Sequence, residues 1–261
     1  MNFPKKSLGQ NFLIDKNIIR KIVNLTKISN QNVIEIGPGR GALTFEILRK
    51  NPKSLILIEK DVDLANFLKK KFENNKKIKI YNKDILELNF ENFKNNNFKV
   101  FGNLPYNISS QILVKFLSSK IWPPNFTNLI FMFQKEVGLK IIGKHRSKDY
   151  GRLSILFGSR LELLQKFFVS PNCFFPKPKV TSIVLNICPK RKINHKIKDI
   201  KNLEKVTNII FSNKRKMINK SIRKVLHEDL ISKIENLDLN SRPSEIKPEK
   251  YYKITEVFEN N

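Results

Sequence analysis

Phe101-Gly102-Asn103-Leu104-Pro105-Tyr106 brings an amide, a proline-stiffened carbonyl and an aromatic ring together within six residues. That set can handle an exocyclic amine. The Asn103 side-chain oxygen can accept one N–H, and the Leu104 carbonyl, aimed by the rigid Pro105, can accept another. Tyr106 offers a flat face on which a base can stack. An amine such as adenine N6 is a poor nucleophile, because its lone pair is delocalised into the ring. Two acceptors would draw it toward a tetrahedral shape and aim that lone pair at an electrophile. The same residue types also suit an ordinary turn, so the surrounding elements must decide.

Those elements form an α/β pattern. The strand-like run Phe98 to Phe101 precedes the stretch and a helix begins near Ser109. Asn103 to Tyr106 therefore fall in a loop at the carboxyl end of a strand, where open α/β sheets bind ligands. Earlier, Asn32-Val33-Ile34-Glu35-Ile36 leads into Gly37-Pro38-Gly39-Arg40-Gly41 and a helix from Ala42 to Lys50. Strand, glycine turn and helix open a nucleotide-binding domain. A dinucleotide fingerprint needs G-x-G-x-x-G. Here the third glycine comes one residue early and Pro38 removes an N–H donor. Glu35 adds a negative charge, awkward for pyrophosphate and favourable beside a sulfonium. The spacing points to S-adenosylmethionine rather than NAD, with a purely structural turn as the other reading.

A second buried strand, Leu55 to Ile58, ends at Glu59, 22 residues after Gly37. That is close to the spacing of about 20 residues at which an acid holds ribose hydroxyls. A helix from Val62 to Phe72 and a strand from Ile78 to Tyr81 follow. Asp84 in the next loop is either a turn cap or an acceptor for the cofactor's adenine amine. Asn89 to Asn97 is an asparagine-rich loop. Leu129 to Phe133 is a further strand, followed by a helix that breaks near Gly143 and a basic loop from Lys144 to Arg152. Upstream of all these, Asp15 caps a helix through Ser29, and the irregular Leu8 to Leu13 is a frayed terminus or a segment laid across a cofactor.

Glu162–Val169 and Lys179–Cys188 form a closing hairpin. Between them, Phe174-Phe175-Pro176-Lys177-Pro178-Lys179 is stiff enough to hold Phe175 outward, opposite Tyr106 across a flipped base. At least one of the two phenylalanines fills the core. From Pro189 the periodicity is helical only. The expectation is a catalytic domain over 1–188 and a small all-α domain over 189–261. His145 and His195 show no metal-ligand or triad spacing and are taken as surface residues.

The net charge of +27 suits a polyanionic partner. Lysine outnumbers arginine 40 to 10, however, which also fits drift in an AT-rich coding sequence. Up to Cys188 there are 32 basic and 13 acidic residues, and 18 and 10 after it, so neither part is a separate basic tail. Arg152, Arg215 and Arg223 are the candidate phosphate contacts. Two cysteines make neither a disulfide framework nor a zinc site. No apolar run reaches membrane-spanning length and no secretory signal is apparent. A cytoplasmic monomer without metal or membrane partner is expected.

Assembled, these stretches resemble the KsgA (RsmA) family of ribosomal RNA adenine N6,N6-dimethyltransferases. Leu8-Gly9-Gln10-Asn11-Phe12-Leu13, Glu35 to Gly41, Asn103-Leu104-Pro105-Tyr106 and Phe175-Pro176-Lys177-Pro178-Lys179-Val180 carry the likeness, from Lys5 to about Thr255. The resemblance implies a Rossmann-like class I S-adenosylmethionine-dependent methyltransferase with a mostly parallel sheet. It places Asn11, Leu13, Gly37, Glu59, Asp84 and Asn103 at the cofactor, turning the lead-in from frayed terminus to ligand contact. Asn103, Leu104, Pro105, Tyr106 and Phe175 would hold the target base. The implied substrate is two adjacent adenosines in a hairpin loop near the 3′ end of small-subunit (16S) rRNA, within a 30S assembly intermediate. An Erm-type enzyme acting on large-subunit rRNA, or a non-catalytic assembly factor on the same fold, are the rival readings.

Overall fold

The computed structural model describes Lys5, residues 10–89, Phe93 and residues 97–261. The expectations for Leu8, Gly9 and most of Asn89–Asn97 lie outside the described residues. Strand and helix alternate through β1 (Phe12–Leu13), α1 (Lys16–Val23), β2 (Asn32–Ile36), α2 (Ala42–Arg49), β3 (Ser54–Glu59), α3 (Val62–Lys71) and β4 (Ile78–Asn82). Next come β5 (Phe98–Asn103), α4 (Ser109–Leu117), β6 (Phe126–Gln134), α5 (Lys135–Ile141), α6 (Arg152–Arg160), β7 (Leu161–Val169), β8 (Phe174–Phe175) and β9 (Ser182–Pro189). The tail holds α7 (Ile200–Ile210), α8 (Asn219–Ile222), α9 (Glu228–Ile231) and α10 (Pro248–Glu259).

Seven strands make one sheet in the order β4-β3-β2-β5-β6-β9-β7. The strands from β4 to β6 pair in parallel, and β9 runs antiparallel to β6. Central strands such as β2 and β3 are buried without alternation, as parallel strands covered on both faces must be. The chain leaves β2 for β3 on one side and returns to β5 on the other. The carboxyl ends of β2 and β5 therefore flank a topological switch point, where such sheets bind ligands. Ile19, Ile22 and Val23 of α1 join Leu43 and Ile47 of α2 and Leu55, Leu57 and Phe101 in the core beneath it.

Local departures have local causes. Asp15 does cap α1, accepting from Asn17 N and Ile18 N. The helix stops at Val23, where the chain turns with Leu25 N donating to Ile22 O at 3.2 Å, and Asn186 Nδ2 donates to Leu25 O at 3.0 Å just beyond it. β6 starts three residues before the expected Leu129, where Phe126 pairs with Phe98. α6 has no counterpart among the expected elements. The Ser154 hydroxyl accepts from Gly151 N at 2.9 Å and starts it at the end of the basic loop. Both histidines are more than surface residues. His145 Nε2 bonds Glu245 O at 2.8 Å, and the half-buried His195 bonds Ser159 O at 3.2 Å.

The chain divides into two compact units. The first comprises 1–115, 123–138 and 163–189, and the second 116–122, 139–162 and 190–261. The expected cut at Cys188 thus marks where the tail begins but not what the second unit contains. The short tail helices share that unit with α6, which packs on α7 and α10. Tyr252 Oη donates to Ile155 O at 3.2 Å and Tyr150 Oη to Ile246 O at 2.8 Å. The buried Arg160 donates to Leu117 O at 2.6 Å and Ser119 O at 2.8 Å.

Candidate active site

A cavity of about 320 Å³ lies at the carboxyl ends of β2, β3, β4 and β5. That volume lies within the range of small-ligand sites. Asn11, Leu13, Gly37, Glu59 and Asp84 line it, and so do Asn103, Leu104, Pro105, Tyr106 and Phe175. The structure therefore brings together every residue singled out from the sequence for cofactor and base.

One wall is the glycine loop. Gly37 and Gly39 have φ of +64° and +58°, a left-handed conformation that side chains resist. A Cβ on Gly39 would lie 3.0 Å from the Phe12 ring, so that backbone can approach a ligand only as glycine. Glu59 closes the same wall. Its Oε2 accepts from Gly39 N at 3.1 Å and its Oε1 from Asp61 N at 2.9 Å. Burial pushes the Glu59 carboxyl up, and those two N–H groups oppose the shift. Each oxygen keeps a lone pair for a further donor. Asp84 caps its turn, accepting from Leu86 N at 2.9 Å, while also lining the cavity. Burial would raise it, but the Lys60 ammonium at 2.7 Å, with the Leu86 N–H, holds it below its ordinary value.

Glu35 lies deeper, 1% exposed, with Thr44 Oγ1 donating to its Oε2 at 2.7 Å. Burial first, and then the nearby Glu59, push its carboxyl up to about 8. With only protein around it, Glu35 is mostly protonated at neutrality. Burial thus works against the negative charge expected at this position.

On the other wall, Asn103 Nδ2 donates to Asn11 O at 2.9 Å. The donor end of the amide is thus engaged, and Oδ1 is the end that can receive an N–H. Pro105 O accepts from Ile108 N at 3.2 Å and Tyr106 O from Ser109 Oγ at 3.1 Å. Tyr106 Oη shares a 2.6 Å hydrogen bond with Ser182 Oγ, which fixes the ring. Burial raises the phenol above its ordinary value, so it stays protonated. Phe174 is buried and Phe175 is 56% exposed, as the proline-stiffened connection implied.

Three supports escaped sequence reasoning. Ser182 anchors Tyr106 from β9, and Thr44 holds Glu35 from α2. Asp61 ties down the lead-in, meeting Lys5 Nζ at 3.1 Å and Gln10 Nε2 at 3.1 Å. Burial would raise Asp61, but Lys5, Gln10 and backbone N–H groups hold it below its ordinary value. Only Asp61 left a trace in the sequence, as an N-cap before α3.

The residues present fit S-adenosylmethionine. Glu59 can accept from a ribose diol, Ile36, Ile58 and Ile85 give an apolar slot for a base, and the glycine loop leaves room for close approach. Sheet order and site together define a class I S-adenosylmethionine-dependent methyltransferase. A dimethyladenosine transferase from Plasmodium falciparum superposes with a TM-score of 0.73 at 24% identity, over 93% of this chain and 95% of that one. The 23S rRNA methyltransferase ErmE does so with 0.67 at 23% identity, over 95% and 100%. Likeness at that identity shows the fold alone. Sequence goes further. Ribosomal RNA small subunit methyltransferase A of Pelagibacter ubique (strain HTCC1062) is 45% identical over 259 residues, 98% of this chain and 97% of that protein. The family described as "Ribosomal RNA adenine dimethylase" matches residues 1–260, and this chain belongs to it.

Proposed function

We propose that the cavity binds S-adenosylmethionine and that this protein dimethylates N6 of two adjacent adenosines near the 3′ end of small-subunit rRNA. One observation carries the reading. Asn103 and Tyr106, each oriented by a hydrogen bond, share a single cavity with Glu59 and the glycine loop. S-adenosylmethionine supplies a methyl group already activated on a sulfonium, whose departure leaves its electron pair on sulfur. The protein contributes position and electrostatics. In the first round Asn103 Oδ1 and the Leu104 carbonyl accept the two N6 hydrogens and turn the nitrogen lone pair toward the methyl carbon. In the second round one of these acceptors holds the single N–H that remains. Tyr106 and Phe175 sandwich the adenine, while Glu59 accepts from both ribose hydroxyls. One N6 proton leaves to solvent after each transfer. Two rounds on each adenosine give four methyl groups.

Unit 2 supplies a surface for the rest of the RNA. Arg146, Lys148 and Lys214 line a hollow of about 630 Å³ with Ser147, Ser244 and one acid, Glu245, whose carboxylate accepts from Arg242 N at 2.6 Å. Cations and hydroxyl donors at one place suit phosphate oxygens. Of the arginines singled out from the sequence, Arg223 is paired with Glu228 at 2.8 Å, Arg152 lies 4.0 Å from Glu204, and Arg215 is exposed. The substrate form is a 30S assembly intermediate, met in the cytoplasm by a monomer. No described helix is long and apolar enough to cross a membrane, and no described cluster of side chains could hold a metal.

The large-subunit alternative is not favoured, because the 45% identical relative is named for the small subunit. A purely non-catalytic role leaves Glu59 and Asn103 without a reason for their placement. The test is mass mapping of RNA after incubation with S-adenosylmethionine and, in parallel, small and large subunits from cells lacking the activity. Two adjacent dimethyladenosines near the 3′ end are expected. Methylation confined to large-subunit RNA would overturn the assignment.

A further inference from the structure

Methyl transfer as described leaves Glu35 without a task, although it lies on the cavity wall. It sits within β2, with apolar Leu57 of β3 and Phe101 of β5 as its strand partners. From α2, the fully buried Thr44 donates its hydroxyl and its backbone N–H. From β3, Glu59 faces it as a second carboxyl, followed by Lys60 and Asp61 in the next turn. Lys60 is committed to Asp84, and Asp61 to Lys5. From the glycine loop, the exposed Arg40 lies over the Phe12 ring at 4.9 Å. Lys83 and Asp84 come from the loop after β4, and β5 offers only the neutral Asn103. Among the described residues, none forms an ion pair with Glu35. A carboxyl in such a place ionises readily only when a positive charge is brought to it.

On the reading that the cavity takes S-adenosylmethionine, that charge arrives with the ligand. We propose that Glu35 selects for charge: it holds a proton while only protein surrounds it, releases that proton to solvent as the cationic methyl donor enters, and takes one back once transfer has left an uncharged thioether. The donor is thereby favoured over the spent product by a residue that touches neither the adenine nor the ribose. Glu35 is a positioning residue in this scheme and never a base toward N6.

The sign follows from linkage. Below about 8, where Glu35 carries its proton, binding the cation requires proton loss, so affinity rises by up to tenfold per pH unit and then levels off. Each ligand's own α-amino group also titrates, and the sulfonium charge makes it more acidic in S-adenosylmethionine than in S-adenosylhomocysteine. That difference stays in the affinity ratio but is the same for the wild type and a Glu35 variant, so it cancels between the two proteins.

Titration calorimetry of the full-length protein with each ligand, from about pH 6 to 9 and in buffers of differing ionisation enthalpy, tests the proposal. Relative to Glu35→Gln, the wild-type ratio should move toward the sulfonium ligand as pH rises. In the wild type, about one more proton should be released with that ligand than with the thioether near neutrality. Glu35→Gln should keep only the pH dependence that the ligands' own amino groups supply. Thr44→Val, which removes one donor to the carboxylate, should shift the levelling-off to higher pH, and serves if the Gln variant does not fold. A wild-type ratio with the same pH dependence as that of Glu35→Gln, or equal proton release with both ligands in the wild type near neutrality, would overturn the proposal. If neither ligand binds at any pH, the cavity reading itself fails and this inference falls with it.

Discussion

Asn103 uses the two ends of one amide differently, and the two uses can be separated. Nδ2 donates to Asn11 O, and Oδ1 is the end proposed to accept from the substrate amine. Asn103→Asp keeps an acceptor but sets a carboxylate against the Asn11 carbonyl. Turnover should fall about as far as in Asn103→Ala, on the order of 100-fold or more for a displaced reacting group. RNA affinity should change little, because the residue meets one base. Single-turnover methylation and a binding assay would check this, and near-normal turnover in the Asp variant would show that the tether to Asn11 is dispensable. Glu59→Ala leaves the Gly39 and Asp61 N–H groups without their acceptor and removes the proposed ribose contact. S-adenosylmethionine affinity in calorimetry should weaken by about 1–3 kcal/mol, and unchanged affinity would take Glu59 out of the site. Glu35 makes a separate stability prediction. Its native carboxyl is raised from 4.5 to about 8, so between those values the folded protein holds more protons than the unfolded chain. Stability should therefore fall as pH rises through that window. Glu35→Gln should gain on the wild type over the same range, by about 2–4 °C in Tm for each kcal/mol recovered. Glu59 and Asn103 were legible because local order, strand end then loop, fixes where they point. Thr44 and Ser182 were not, because their partners Glu35 and Tyr106 come from other elements of the sheet layer.

At the scale of elements, the small β1/β8 sheet does what no single residue can. Phe12 pairs with Phe175 and Leu13 with Phe174, and Ile14 N donates to Cys173 O at 2.8 Å. The lead-in that brings Asn11 to the cavity is thereby stitched to the strand that brings Phe175 to it. Phe12 also lies against Gly39, which couples this sheet to the glycine loop. Gly39→Ala puts a Cβ into a left-handed backbone and against that ring. It should destabilise the protein by about 1–2 kcal/mol and weaken S-adenosylmethionine binding, measured by denaturant melts and calorimetry. Wild-type stability would mean that the ring gives way and the loop is not clamped. A two-residue strand leaves no periodic signal, so β1 and β8 could not be read from the sequence. α6 was hidden for a related reason. Ser154, Gly158 and Ser159 interrupt its apolar run, and its helical state is settled by burial against α7 and α10. The parallel strands, by contrast, announced themselves as continuous apolar runs.

At the scale of the whole molecule, composition suited a polyanionic partner, with coding drift as the other source of the charge, and could not say which cations would meet it. Sequence periodicity indicated a tail that begins at Pro189, whereas packing within the second unit joins that tail to 139–162. Removing everything after Cys188 would strip Tyr150 and Ile155 of their hydrogen-bond partners Ile246 and Tyr252. Point variants are therefore the sound way to ask what this unit binds. Arg146, Lys148 and Lys214 share one hollow and are exposed, so charge reversal there should leave the fold intact. If they meet phosphates, Lys148→Glu with Lys214→Glu should weaken binding to small subunits. The slope of log affinity against log salt should become shallower, by roughly 0.7–0.9 for each phosphate that is no longer neutralised. S-adenosylmethionine affinity should not change, since no residue of the hollow lines the cofactor cavity. A matched reversal at Lys69 and Lys70, exposed lysines of α3 outside the hollow, controls for net charge alone. A slope equal to the wild type, or an equal change in the control pair, would mean that total charge rather than this hollow governs binding.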